Sequence, residues 1–142
     1  MANALFDPGR EGFLDGTIDW DTAVIKVALV RGYTFSAAHK FVSDVTGASG
    51  TLHVTSAAVG SKTVTNGVAD GADTAYTAVT ANAGNHSVLV FQASAVTGGA
   101  DVAATAQRLI AWIDTGTNFP IVPNGGDITI AWDNGANKIF KL

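Results

Sequence analysis

The sequence predicts an all-β domain: a β-sandwich or jelly-roll-like barrel of about eight short strands, with a short N-terminal helix or arm. Three observations predict it. Short β-branched runs recur along the chain, each bounded by Gly, Asn or Asp. Charged residues make up 14% of the chain, against about 25% in ordinary soluble domains, and Ala, Thr, Val and Gly fill the gap. Lastly, Pro123-Asn124-Gly125-Gly126, residues 127–132, Asp133-Asn134-Gly135 and residues 138–142 read as turn, strand, turn, strand. Asn-Gly between apolar runs supplies the positive φ of a tight primed turn, so a terminal hairpin is expected to tie the end of the chain into a sheet.

A chain of 142 residues suits one domain and buries roughly 70% of its unfolded surface. Residues 1–16 are read as an N-terminal arm and 17–142 as the β body. Residues 3–14 suit a short helix, with Leu5, Phe6, Phe13 and Leu14 apolar, Arg10 and Glu11 polar, Pro8 tolerable only in a first turn, and Gly16 as the stop. Residues 22–30 alternate poorly, which predicts a strand covered on both faces. Residues 35–45 suit either one helical turn or a covering loop. Strands are expected at 51–55, 62–65, 74–79, 87–93 and 107–114, with turns at Asn66-Gly67 and 70–73 and loops at 82–85 and 96–106.

The same composition excludes several functions. The net charge is −4, from 8 basic and 12 acidic residues, and the bases are scattered rather than striped, so nucleic-acid binding is not expected. There is no cysteine. Residues 1–5 lack a basic n-region, and the longest apolar runs, 23–25 and 27–30, are split by Lys26. Neither a secretory signal nor a membrane span is expected, and the protein is read as made in a cytosol. His39, His53 and His86 lie far apart, without the close ligand pairs of metal sites, so no metal or other cofactor is expected. Asp15, Asp19, Asp21, Asp70 and Asp73 do not follow the EF-hand pattern; Asp19 and Asp21, placed on a strand, share a solvated face opposite Trp20. No nucleophile elbow, P-loop or dinucleotide fingerprint occurs, and Glu11 is the single glutamate, so the chain reads as a non-enzyme. Asn85-His86-Ser87 matches a glycosylation sequon, read as chance without a secretory signal. Trp112 and Trp132 sit within strands, either as core pillars or as an exposed platform for glycan stacking or protein docking.

Several stretches resemble small virion structural proteins of tailed bacteriophages. They are residues 4–14 (ALFDPGREGFL), Asp19-Trp20-Asp21, Ile25-Lys26-Val27, residues 62–68 (KTVTNGV) and the ending 123–142. The likeness covers most of the chain and is patchy between 68 and 105. It implies a minor structural or capsid decoration (cement) protein on the capsid exterior. Its partner would be the major capsid protein, its assembly a homotrimer, and its location the virion after synthesis in the bacterial cytoplasm. No functional residue is carried over with it. A decoration protein needs a stable scaffold and an adhesive apolar patch, and the low charge agrees with a surface covered by other subunits. Leu5, Phe6, Phe13 and Leu14 are the candidate capsid-docking residues, since terminal segments are poorly ordered unless tied down. The alternative is that they pack on the protein's own sheet. A second reading is a phage tail or receptor-binding module that recognises host surface glycan through Trp112 or Trp132.

Overall fold

The computed structural model describes residues 3–142. Its elements are, in chain order, β1 (Ala4–Leu5), α1 (Asp7–Asp15), β2 (Ile25–Arg31), α2 (Val42–Gly47), β3 (Thr51–Thr55), β4 (Thr63–Thr65) and β5 (Val68–Asp70). There follow β6 (Thr74–Tyr76), β7 (Ser87–Gln92), β8 (Ser94–Ala95), β9 (Gly98–Asp101), β10 (Arg108–Ile113), β11 (Ile128–Ile130) and β12 (Phe140–Lys141). The fold is all-β with short helices. Its central sheet is antiparallel in the order β1-β10-β7-β2-β3, and no barrel closes.

The three long apolar runs become the inner strands because both faces of this sheet are covered. On one face Ile25, Val27 and Leu29 of β2 join Val88 and Val90 of β7 and Ile110 and Ile113 of β10. Two small sheets, β11-β6 and β12-β5-β4, supply the opposing layer with Tyr76, Ile130, Ala69 and Phe140. On the other face Ala28, Val30, Leu89, Phe91, Leu109 and Trp112 meet Phe6 and the α2 residues Val42 and Val45. With large side chains on both faces, β2 and β7 have no polar face to alternate, as the sequence indicates.

The register slips by one residue in β10 between Leu109 and Ala111, leaving Ile110 as the extra residue of a β-bulge. The carbonyl of Ile110 accepts the Phe6 amide at 3.1 Å, and α1 lies against this bulge. Gly9 allows the approach: a Cβ there would sit 2.7 Å from the Leu109 carbonyl oxygen. Pro8 occupies the first turn of α1, and Gly16 ends the helix in the left-handed region at φ 78°.

Several expectations are corrected. The terminal hairpin does not form: β11 pairs with β6 and β12 with β5. Asp73 and Ala72 hold this segment away from its neighbour, through the Trp132 amide to Asp73 Oδ1 at 2.9 Å and the Trp132 indole to the Ala72 carbonyl at 3.1 Å. The end of the chain is nonetheless tied into a sheet. Residues 4–5 of the expected helix form edge strand β1 instead. The loop expected at 96–106 holds β9, which pairs with β8 as a hairpin, and Val68–Asp70, not expected as a strand, completes the hairpin around Asn66-Gly67. Asp19, Trp20 and Asp21 lie in a turn rather than on a strand. Among the described residues there are twelve strands rather than about eight, several of them only two or three residues long.

Candidate functional site

An apolar groove of about 220 Å³ runs between the end of α1 and the β12-β5-β4 sheet. Three rings form its floor: Phe140 meets Trp20 edge-on at a centroid distance of 5.2 Å and tilts against Phe13 at 5.6 Å. The Trp20 indole donates inward to the Asp70 carbonyl at 3.0 Å, so its polar atom is satisfied away from the groove. The walls are Val64 on edge strand β4 and Leu142, which are 57% and 56% exposed. Sequence reasoning missed both. An alternating Thr-Val-Thr run does not reveal which face of a three-residue strand is left open.

The acidic residues near this end are occupied by their own loops. Asp19 accepts from the Thr22 hydroxyl at 2.8 Å and from the Thr22 and Asp21 amides, and these bonds hold its carboxyl below the usual carboxylate range. Asp15 is lowered in the same way by the Thr17 hydroxyl and amide. Asp70 is lowered chiefly by its bond to Lys138, 2.9 Å away. Among the described residues no three or more His, Cys, Asp or Glu side chains gather as a metal site would require. A second cleft, about 610 Å³, opens between loops 114–119 and 131–139, but its walls mix Asn3, Thr115, Asp133 and Lys138 with Phe119 and Ile139 and offer no continuous carbon surface.

The structure divides the expected docking residues. Phe6 is fully buried, tilted against Phe35 at 5.0 Å, and cannot meet a partner while the protein is folded. Leu5 is half-buried on the edge of β10, opposite Ala111. Phe13 is half-buried and borders the groove, whereas Leu14, its neighbour in sequence, is 90% exposed. The described part of the arm is therefore tied down by its own sheet, and of the four expected docking residues only Phe13 and Leu14, in the last turn of α1, lie at or beside the groove. Trp112 and Trp132 are core pillars, so a glycan platform built on either ring is not available.

The histidines are not all isolated. His39 Nδ1 bonds the Tyr33 hydroxyl at 2.8 Å, while His53 of β3 and His86, which immediately precedes β7, stand ring to ring at 5.3 Å. Their separation of 33 positions hid this pair, which only the sheet topology brings together. No helix among the described residues is long and apolar enough to cross a membrane. No protein-family model, curated protein or solved structure matches the chain.

Proposed function

We propose that this protein is a non-enzymatic virion structural protein of a tailed bacteriophage, binding the capsid exterior as a decoration or cement protein and stabilising the shell. The observation that carries the reading is the grouping of exposed apolar side chains at one end of the molecule. Val64 and Leu142 flank a carbon-lined groove, and Leu14 projects from the helix turn that borders it. Single exposed apolar residues need no explanation, but a set around a groove marks an interaction surface. The resemblance to phage virion proteins supplies the partner, the major capsid protein, and a homotrimeric assembly. Repetition over the shell lets a small contact hold by avidity.

The docking set is thus revised to Phe13, Leu14, Val64 and Leu142. Co-sedimentation of the purified protein with undecorated capsids tests it. The wild type is expected to pellet with the shells, and Val64→Asp and Leu142→Asp to lose binding at least tenfold with unchanged melting temperatures. Wild-type protein that stays in the supernatant at every capsid concentration contradicts the reading. The tail or glycan-receptor reading receives no support from the buried Trp112 and Trp132.

A further inference from the structure

We propose that His53 and His86 form an acid-sensitive latch that closes the loop of residues 80–86 onto the end of the central sheet at neutral pH and releases it on acidification. The latch joins three elements. From the end of β2, Arg31 donates to Asn82 Oδ1 at 2.6 Å and to the Ala83 carbonyl at 2.8 Å. A guanidinium has only donors, so it fixes the orientation of the Asn82 amide and turns Nδ2 toward His53 Nδ1, 3.0 Å away. His53 Nδ1 must then accept. Its Nε2 faces the Thr80 carbonyl at 2.8 Å and must donate. Every bond the ring makes belongs to one neutral tautomer, and a proton on Nδ1 sets N–H against N–H.

His86 is bound to the neutral form by burial. It is 1% exposed, its Nδ1 donates to the Gly84 carbonyl at 3.0 Å, and its buried Nε2 has no hydrogen-bond partner. A proton on Nε2 would place an unpaired charge in the interior, which is far costlier than an unpaired neutral nitrogen. The charged or chargeable groups that bear on it are His53 from β3 and Arg31 from β2, and both repel a cation. Burial first, and these two neighbours after the opposing Gly84 bond, push His86 below the ordinary histidine value of 6.5. The backbone around the pair is also closed, by the His86 amide to the Ile121 carbonyl at 2.8 Å and the Asn82 amide to the Pro123 carbonyl at 3.0 Å. Charging His53 breaks its bond with Asn82, and charging His86 leaves an unpaired cation in the interior; each weakens this closure.

The sign follows from proton uptake. The unfolded or opened chain binds a proton at His86 below about pH 6.5 and the closed form only at lower pH, so closure is complete above that pH and weakens as pH falls below it. Between pH 7.5 and 5.5 one histidine kept neutral lowers the closing equilibrium about tenfold.

Ring NMR titration and amide exchange of the intact protein test the latch. We expect His86 to stay neutral at pH 6, and the Asn82 and His86 amides to exchange about tenfold faster at pH 5.5 than at 7.5 after correction for intrinsic chemistry. Leu89 and Val90 should stay protected throughout. In His86→Gln the acid-induced change should shrink to the part that His53 carries, and in His53→Gln/His86→Gln it should vanish. Titration of His86 at or above 6.5, exchange at Asn82 and His86 that does not change with pH, or loosening of Leu89 and Val90 to the same degree each overturns the latch. The wild-type titration decides the matter even if His86→Gln does not fold.

Discussion

At the residue scale, two glycines make the packing testable. Gly9 lets α1 lie on the β10 backbone, with no room for a methyl group beside the Leu109 carbonyl. Gly9→Ala should therefore destabilise by about 1–3 kcal/mol in urea unfolding, since backbone cannot move aside as a flexible side chain does. At Gly47 in α2 an added methyl group would meet nothing within 4 Å, so Gly47→Ala should be neutral or stabilise by up to about 1 kcal/mol. Tyr76 gives a further test. Its hydroxyl donates to the Val27 carbonyl at 2.8 Å inside the core, and burial pushes its ionisation well above the ordinary value of 10. The unfolded chain ionises near pH 10 while the folded chain keeps the proton, so stability is complete below pH 10 and falls as pH rises beyond it. Tyr76→Phe should show a shallower alkaline loss in the same denaturation series, and an unchanged slope would refute the assignment.

At the element scale, the arm is part of the scaffold. Phe6 fills the face covered by α2, and β1 caps the open edge of β10. Phe6→Ala should cost about 3–5 kcal/mol, whereas Leu14→Asp should lie within about 0.5 kcal/mol of wild type. Thermal melts of the two variants separate a self-packed residue from a surface one. How far these elements were legible in the sequence depended on length and local signal. The inner strands β2, β7 and β10 are long apolar runs, and burial on both faces leaves that composition little alternative. The Gly16 stop ended α1 correctly because it acts through local backbone geometry, whereas the start expected at residue 3 falls at Asp7, with Pro8 in the first turn. The pairing of β11 and β12 was not legible. Asn134-Gly135 is a sound local turn signal, but the bonds from Trp132 to Asp73 and Ala72 and the ion pair of Lys138 with Asp70 are contacts across 59 to 68 positions, and they win. The burial of two expected docking residues was hidden for the same reason: nothing in Leu5-Phe6 reveals that an open strand edge and a space above Leu89 await them, whereas Phe13 is half-buried and Leu14 exposed.

At the scale of the whole molecule, the chemistry is turned inward. The aromatic rings of Trp20, Trp112 and Trp132 lie in the core, the acidic turns bond their own backbones, and of the exposed large apolar side chains Leu14, Val64 and Leu142, though not Val122, lie at the end where α1 meets β4 and β12. That distribution suits a small scaffold held to a larger surface through one apolar contact. Since the contact carries few charges, co-sedimentation with capsids should weaken less than about tenfold when salt rises from about 0.05 to about 0.5 M, where a phosphate- or ion-pair-dominated contact loses far more. The most direct test of the central claim is the copy number of this chain per purified virion, measured by quantitative mass spectrometry against the major capsid protein. Hundreds of copies per particle, reduced severalfold by Val64→Asp, are the expected result. A few copies, or none, would contradict a decoration role.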